Sequence, residues 1–224
     1  GRCDSIDQGD VVTRIALVDY GAGNLQSVRN ALKAAGADNV LVTDKPDQVA
    51  TADRIVLPGV GAFAHCMTAL SSIDGMVDAL NAATGAGGKP FLGICVGMQL
   101  MAEKGEEHGF HDGLGWVPGT VRLIEPADPA IKIPHMGWND VVPTTNHPLI
   151  RAGEAYFLHS YAFAGDDVLA TTNHGGERVA AIGINCTAPH HIASLVAVAR
   201  ANTAKPILVY PNAGEQYDPV SKTW

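Results

Sequence analysis

One decapeptide limits the possible folds of this chain more than any other segment. In Phe91-Leu92-Gly93-Ile94-Cys95-Val96-Gly97-Met98-Gln99-Leu100, a short apolar run leads into a cysteine with a glycine two residues before it and another two residues after it. This G-x-C-x-G pattern predicts a nucleophile elbow, a sharp turn that joins a strand to a helix and exposes the cysteine. The small glycines permit the tight turn and let the helix pack closely on the strand.

The elbow predicts that Cys95 is a nucleophile. The helix expected through Met101 places the positive end of its dipole beneath the sulfur, which favours the thiolate. The alternative is an inert core cysteine, because free cysteines are usually buried. Attack on an amide or ester also needs two N–H donors for the oxyanion and a base. We expect one donor from the Val96 N–H and another from the loop Pro58–Phe63, although P-G-x-G is also typical of an ordinary βα loop.

Strands alternate with helices in the first half of the chain. Short apolar runs predict strands at Arg14–Asp19, Asn39–Thr43 and Arg54–Leu57, and a fourth strand leading into Cys95. Helical patterns predict one helix from the N-cap Asn24 to the stop Gly36. They predict another from the end of the Pro58–Phe63 loop to about Ala86. This order predicts an α/β fold, an open and mostly parallel sheet with helices on both faces. Ligands bind at the carboxyl ends of such strands.

After Gly115 the pattern changes to strands joined by turns, which predicts an added antiparallel region. The expected strands are Trp116–Ile124, Ile131–Val142, Ala155–Ala164, Val168–Thr172 and Arg178–Ile184. From Pro189 a helix and then a buried strand, Pro206–Tyr210, are expected.

Composition excludes several classes of function. The net charge of −8 and the lack of a long basic run argue against nucleic acid or an anionic membrane as a partner. No apolar stretch approaches the roughly 18 residues of a membrane span, and residues 1–12 are expected to form an unstructured leader without a signal peptide. Four scattered cysteines indicate a cytoplasmic protein with neither a disulfide framework nor a self-contained metal site.

Five ordered motifs carry a family resemblance over residues 13–182. They are Asp19-Tyr20-Gly21-Ala22-Gly23-Asn24, Pro58-Gly59-Val60-Gly61-Ala62-Phe63, Gly93-Ile94-Cys95-Val96-Gly97-Met98-Gln99, Pro134-His135-Met136-Gly137-Trp138-Asn139 and His159-Ser160-Tyr161. The chain resembles the glutamine amidotransferase subunits of imidazole glycerol phosphate synthases, which are class I amidotransferases of histidine biosynthesis. The resemblance implies a glutaminase in which Cys95 forms a thioester with glutamine and releases ammonia.

The resemblance also implies roles for the residues around Cys95. Val60 and Val96 would supply the oxyanion N–H groups, and Gly59 and Gly61 would let their loop reorient. The substrate's amino-acid end would be held by Gln99, His159, Ser160 and Tyr161.

The resemblance also implies a partner protein. Asn24, Trp138 and Asn139 would face a (β/α)8-barrel synthase subunit that receives the ammonia in a heterodimer, and no cofactor or metal is implied. Trp138 has an alternative as a core residue. His159 has one as a structural histidine, and it is not expected to be the catalytic base.

The chain departs from the family after Ile182. The family continues with an F-H-P-E-type motif whose histidine and glutamate complete a Cys-His-Glu triad. Here the sequence has His190 and His191, neither followed two residues later by glutamate. Loss of a triad base costs on the order of 10^4 to 10^6 in rate in serine hydrolases. The alternative function is therefore an impaired amidotransferase that only binds glutamine or the partner.

Residues 183–224 instead resemble an internal piece of a homocysteine S-methyltransferase. The similar segments are Gly183–Pro189, Pro206–Asn212 and Gly214–Asp218. In that family the cysteine corresponding to Cys186 is one of three zinc thiolates, and a single thiolate is not a zinc site. The expected organisation is thus a leader at 1–12, an incomplete amidotransferase domain at 13–182 and an atypical tail at 183–224.

Overall fold

The computed structural model describes residues 13–180, except residues 87, 147–149, 167 and 176. The predictions for the leader and for the tail, including Cys186, His190 and His191, lie outside the described residues. In chain order the elements are β1 (Arg14–Val18), α1 (Leu25–Ala34), β2 (Asn39–Thr43), α2 (Pro46–Thr51), β3 (Arg54–Leu57), α3 (Phe63–Ser71), α4 (Met76–Asn81), a π-helical turn (Ala82–Ala86), β4 (Phe91–Gly93), α5 (Val96–Gln99), β5 (Ala102–Gly105), β6 (His111–Asp112), β7 (Val117–Leu123), β8 (His135–Pro143), β9 (Gly153–His159), β10 (Tyr161–Ala164), β11 (Ala170–His174) and β12 (Glu177–Ala180).

The first sheet is parallel and has the strand order β2-β1-β3-β4. Side chains of β1 alternate between its two faces, as the period of a strand requires. Ile15 and Leu17 pack with Val28 of α1 on one face, whereas Ala16 and Val18 pack with residues of α2, α3 and α4 on the other. The predicted parallel sheet with helices on both faces is confirmed.

The first helix begins and ends as its sequence predicts. The Asn24 side-chain oxygen accepts a hydrogen bond of 3.1 Å from the Ser27 N–H, which makes it the N-cap. Gly36 follows the helix with φ of +89°, the left-handed conformation that commonly ends helices.

Two predicted helices differ from the structure. The helix expected up to Ala86 is broken at Gly75, whose φ of +75° is incompatible with a continuing helix, so α3, α4 and the π-helical turn replace it. The helix after Cys95 is a single turn that ends at Gln99 rather than Met101, because the chain then enters β5. The short helix α2, which begins at Pro46, was not predicted.

The region after Gly115 belongs to two further sheets. Their strand orders are β10-β7-β5-β6 and β12-β11-β8-β9. The pairs β7–β10, β8–β9, β8–β11 and β11–β12 are antiparallel as predicted, while β5 and β7 are parallel.

One expected strand of this region, Ala155–Ala164, is wrong as a single element. The chain breaks at Ser160, since β9 pairs with β8 and β10 pairs with β7 in the other sheet. The remaining expected strands are shifted at their ends, and β8 begins at His135 rather than Ile131. Of Arg178–Ile184, residues 181–184 lie outside the described residues. Among the helices of the described part, none has the length and apolar character needed to cross a membrane.

Gly97 provides a test of how closely the elbow packs on the sheet. A Cβ at this position would lie 2.0 Å from the Leu57 carbonyl oxygen, which is backbone and cannot rotate away. We expect Gly97→Ala to lower the free energy of unfolding by about 3 kcal/mol in urea denaturation. Gly153→Ala is the matched control, because a Cβ there meets nothing within 4 Å, and it should change stability by less than about 1 kcal/mol. Equal effects of the two substitutions would contradict this packing.

Candidate active site

Cys95 occupies a strained turn between β4 and α5. Its φ of 55° and ψ of −121° lie outside the regions that residues with a side chain ordinarily adopt. Within the described residues, His108 is the only other non-glycine residue with a positive φ. Strain of this kind persists where the surrounding structure imposes it, and it concentrates at functional sites. The predicted strand–turn–helix geometry of the elbow is confirmed, and the inert-core alternative is disfavoured because Cys95 is partly exposed.

The single turn of α5 changes one part of the prediction. A helix dipole is the sum of aligned peptide groups, so one turn supplies a much weaker field than a full helix. The helix beneath Cys95 ends at Gln99, two residues before the expected end at Met101, so any field at the sulfur comes from the few peptide groups of this turn.

The loop after β3 lies directly against the elbow. Leu57 at the end of β3 pairs with Gly93, and its carbonyl oxygen accepts a hydrogen bond of 2.9 Å from the Ile94 N–H. A Cβ on Gly59 would lie 2.4 Å from the Gly97 nitrogen and 2.9 Å from the Val96 carbonyl carbon. Only glycine permits this approach, which brings the two predicted oxyanion segments into contact.

Two backbone donors remain available in these segments. Among the described residues, no acceptor receives a hydrogen bond from the N–H of Val60 or of Val96. The side chain of Val60 is half exposed, and Gly61 beside it has φ of +112°. An oxyanion hole requires such unused donors next to the nucleophile.

The predicted substrate residues meet at one carbonyl. The Tyr161 carbonyl oxygen accepts hydrogen bonds from Gln99 Nε2 at 3.4 Å and from His159 Nδ1 at 3.1 Å. Ser160, between His159 and Tyr161 in sequence, lies at the point where the chain passes from one sheet to the other. Its carbonyl oxygen accepts a hydrogen bond of 2.9 Å from the Ile124 N–H. The structure thus joins α5 to the turn between β9 and β10.

A chain of hydrogen bonds fixes the histidine tautomers beside this turn. Because His159 Nδ1 donates to the Tyr161 carbonyl, its Nε2 is free to accept from His135 Nδ1 at 3.2 Å. His135 Nε2 then accepts from Asn139 Nδ2, also at 3.2 Å, and Asn139 Nδ2 donates in addition to the Asn173 carbonyl at 2.6 Å. Every member of this chain is satisfied with both imidazoles neutral.

Burial reinforces the neutral state of these imidazoles. It lowers the pKa of His135 to about 4, with contributions from the nearby His174 and His159, and it lowers the pKa of His159 as well. His174 stacks on His135 with ring centroids 4.1 Å apart. This arrangement agrees with the structural alternative for His159.

The outer face of β8 carries three large apolar side chains and one carboxylate, Asp140, which lies between Trp138 and Val142. Met136, Trp138 and Val142 alternate along the strand and are 63%, 52% and 54% exposed. The core alternative for Trp138 is therefore wrong. The side chain of Asn139 projects to the opposite face and joins the histidine chain, while the side chain of Asn24 caps α1.

One residue near the site carried no sequence signal. The Glu107 carboxylate accepts a hydrogen bond of 2.8 Å from the Phe63 N–H and so fixes the first turn of α3 immediately after the Val60 loop. A contact between residues 44 positions apart leaves no local pattern in the sequence. In the described part of the chain, no cluster of three or more histidine, cysteine, aspartate or glutamate side chains is arranged to hold a metal ion.

Comparison with protein families gives two matches that overlap. Residues 16–187 match the class-I glutamine amidotransferase family, and residues 159–224 match the homocysteine S-methyltransferase family. The first match covers most of the chain and contains Cys95, the Val60 loop and the turn at Ser160.

Two bacterial proteins illustrate the similarity to individual relatives. The imidazole glycerol phosphate synthase subunit HisH of Zymomonas mobilis is 61% identical over 175 residues, which are 75% of this chain and 82% of the relative. The subunit of the same name from Rhodospirillum rubrum is 50% identical over 183 residues, 76% of this chain and 86% of the relative.

Solved structures agree with the fold. A crystal structure of a glutamine amidotransferase superposes with a TM-score of 0.54 at 18% identity and covers 73% of this chain and 82% of its own. PurLQS from Thermotoga maritima superposes with a TM-score of 0.51 at 19% identity and covers 75% of this chain and 79% of its own.

The histidine chain predicts a specific pH dependence of stability. A histidine whose folded pKa is below its unfolded value near 6.5 makes the unfolded state bind more protons between those two values, so stability falls as pH is lowered from about 6.5 towards 4. Each such group contributes a slope of at most about 1.4 kcal/mol per pH unit. We expect His135→Gln to flatten this part of the stability–pH curve in urea denaturation. A curve of unchanged slope would contradict a neutral, buried His135.

Proposed function

We propose a function from one premise: the chain belongs to the class-I glutamine amidotransferases, and within them to the HisH subunits of imidazole glycerol phosphate synthase. It is an enzyme of histidine biosynthesis that hydrolyses glutamine to glutamate and ammonia. The single observation that supports this assignment most directly is the contact between the Cys95 elbow and the Val60 loop, with an unused N–H on each side.

The reaction uses Cys95 as the nucleophile. Its thiolate attacks the side-chain amide carbon of glutamine, a C–S bond forms, and the carbonyl oxygen becomes an oxyanion that the N–H groups of Val60 and Val96 bind. As this intermediate collapses the C–N bond breaks, the departing nitrogen takes up a proton from solvent and leaves as ammonia, and a glutamyl thioester remains on Cys95. Water then hydrolyses the thioester to glutamate and restores the thiolate.

The residues that bind glutamine lie around the turn between β9 and β10. Gln99, Ser160 and Tyr161 hold the amino-acid end of the substrate, and His159 contributes by positioning the Tyr161 carbonyl through its hydrogen bond. Gly59 and Gly61 give the Val60 loop the freedom to reorient. Support for this proposal comes from the hydrogen bonds that gather Gln99 and His159 on the Tyr161 carbonyl.

The ammonia passes to a partner, a (β/α)8-barrel synthase subunit with which the chain forms a heterodimer in the cytoplasm. The exposed Met136, Trp138 and Val142, with Asp140 between the last two, support a docking surface on β8, because interfaces commonly combine aromatic and methionine side chains with polar groups. Asn24 and Asn139 contribute to this interface indirectly, by fixing the backbone of its segments. Asn24 accepts a hydrogen bond from the Ser27 N–H, and Asn139 donates one to the Asn173 carbonyl.

A second function is favoured by one observation from the sequence. No histidine in the 224 residues is followed two positions later by glutamate, so the triad base and its partner carboxylate have no counterpart at the family's spacing. In this second proposal residues 13–182 form an amidotransferase domain that binds glutamine or the partner without turnover, and residues 183–224 form a tail of different origin. The methyltransferase match over residues 159–224 supports the separate character of the tail.

Glutamate release distinguishes the two functions. With the barrel synthase and its ligand present, we expect the chain to release glutamate from glutamine and Cys95→Ala to abolish this release, because no thioester can form. Cys186→Ala is the control and should leave the rate unchanged. Absence of release by the parent chain, together with alkylation of Cys95 and binding of the partner, would reject the first function in favour of the second.

The outer face of β8 gives a separate prediction for the partner. Buried aromatic side chains at the centre of an interface commonly contribute 2 kcal/mol or more, so Trp138→Ala should weaken binding of the barrel subunit by about 30-fold in calorimetry. Phe110→Ala is the matched control, because Phe110 is an aromatic residue that is 81% exposed outside β8. Similar effects of the two substitutions would contradict docking on this face.

A further inference from the structure

Two buried side chains hold the backbone on either side of the Gly59–Val60 peptide group. The Tyr20 hydroxyl donates a hydrogen bond of 2.6 Å to the Pro58 carbonyl oxygen, and the Cys66 thiol donates one of 3.4 Å to the Val60 carbonyl oxygen. These carbonyls belong to the peptide groups immediately before and immediately after the group that carries the Val60 N–H. Tyr20 is 6% exposed and Cys66 is fully buried.

Both side chains remain donors over the physiological pH range. Burial raises the pKa of the Tyr20 hydroxyl and of the Cys66 thiol, and the proximity of the two groups to each other contributes for Tyr20. A protonated phenol and a protonated thiol can each donate one hydrogen bond.

The two donors are themselves firmly placed. Tyr20 follows β1 and lies beneath the loop, since a Cβ on Gly59 would be 2.9 Å from its hydroxyl oxygen. Cys66 lies in the first turn of α3, where its N–H donates to the Ala62 carbonyl at 3.0 Å. The start of α3 is in turn fixed by Glu107 through the Phe63 N–H.

We propose that Tyr20 and Cys66 are positioning residues that clamp the peptide groups flanking Gly59–Val60 and thereby confine reorientation of the loop to that single peptide. The proposal rests on the proposed function, in which the Val60 N–H binds the oxyanion. With both neighbours held, rotation of one peptide plane decides whether this N–H points towards Cys95. Without either clamp the rotation spreads over several bonds, and the N–H is held less often in the productive orientation.

The test compares two reagents that attack the same sulfur. A chloromethyl ketone carrying the amino-acid end of glutamine reacts with the Cys95 thiolate through a tetrahedral oxyanion before chloride leaves, so its rate depends on the oxyanion donors. Iodoacetamide is displaced directly at carbon and forms no oxyanion. The ratio of the two rates, measured on the full chain with the barrel synthase bound, reports the oxyanion donors separately from the reactivity of the thiol.

Loss of a whole oxyanion donor costs about 10^2- to 10^3-fold, so a mispositioned one should cost less. We expect Tyr20→Phe and Cys66→Ala each to lower the ketone rate by about tenfold while the iodoacetamide rate changes by less than about twofold. Cys66→Ser retains a donor and should recover most of the ratio. Leu70→Val is the control. Leu70 is buried one turn further along α3, and its apolar side chain cannot donate a hydrogen bond to the clamped carbonyls.

Several results would overturn the proposal. They are an unchanged ratio in Tyr20→Phe and Cys66→Ala, an equal loss in Leu70→Val, failure of Cys66→Ser to recover, or a parent chain in which the ketone shows no preference for Cys95. Failure of the proposed function would give a different result. The parent chain would react with the ketone at Cys95 but would release no glutamate, which means that the oxyanion donors are in place and turnover is absent. In that case the variants still decide the positioning roles through the ratio.

Discussion

The site depends on a backbone contact between neighbouring parallel strands. The register of β3 and β4 brings the end of β3 beside the elbow, where the Ile94 N–H donates to the Leu57 carbonyl. Gly97 then lies so close to that carbonyl that no side chain fits. This contact fixes Cys95 in its unusual backbone conformation and places the Val60 loop against it. The geometry of the proposed active site thus depends on the parallel sheet rather than on one loop.

The antiparallel region is tied to the same place by polar contacts. The Tyr161 carbonyl receives Gln99 from α5 and His159 from β9, and the neutral histidine chain continues from there to Asn139 on β8. The opposite face of β8 carries the exposed Trp138. A polar network therefore runs from the proposed glutamine site to the back of the proposed docking face, through side chains whose hydrogen bonds are all satisfied in one arrangement.

Local patterns predicted the elements whose causes are local. Asn24 and Gly36 mark the ends of α1 because capping depends on adjacent residues. Short runs of apolar residues predict the buried strands β1 and β3. The break at Gly75 was missed although a glycine with a positive φ is a local cause. The change of sheet at Ser160 was missed because it depends on pairing with distant strands. Glu107 and the clamps at Tyr20 and Cys66 were missed for the same reason. The turn at Cys95 was predictable because the elbow and its glycines occupy one decapeptide.

Trapping the covalent intermediate tests the role of Cys95 as the nucleophile most directly. The chain, with the barrel synthase bound, is mixed with glutamine, quenched in acid during turnover and digested, and the peptides are examined by mass spectrometry. We expect a glutamyl thioester on Cys95 and on no other cysteine. A thioester on Cys66 or Cys186, or glutamate release in which Cys95 never carries the adduct, would contradict it.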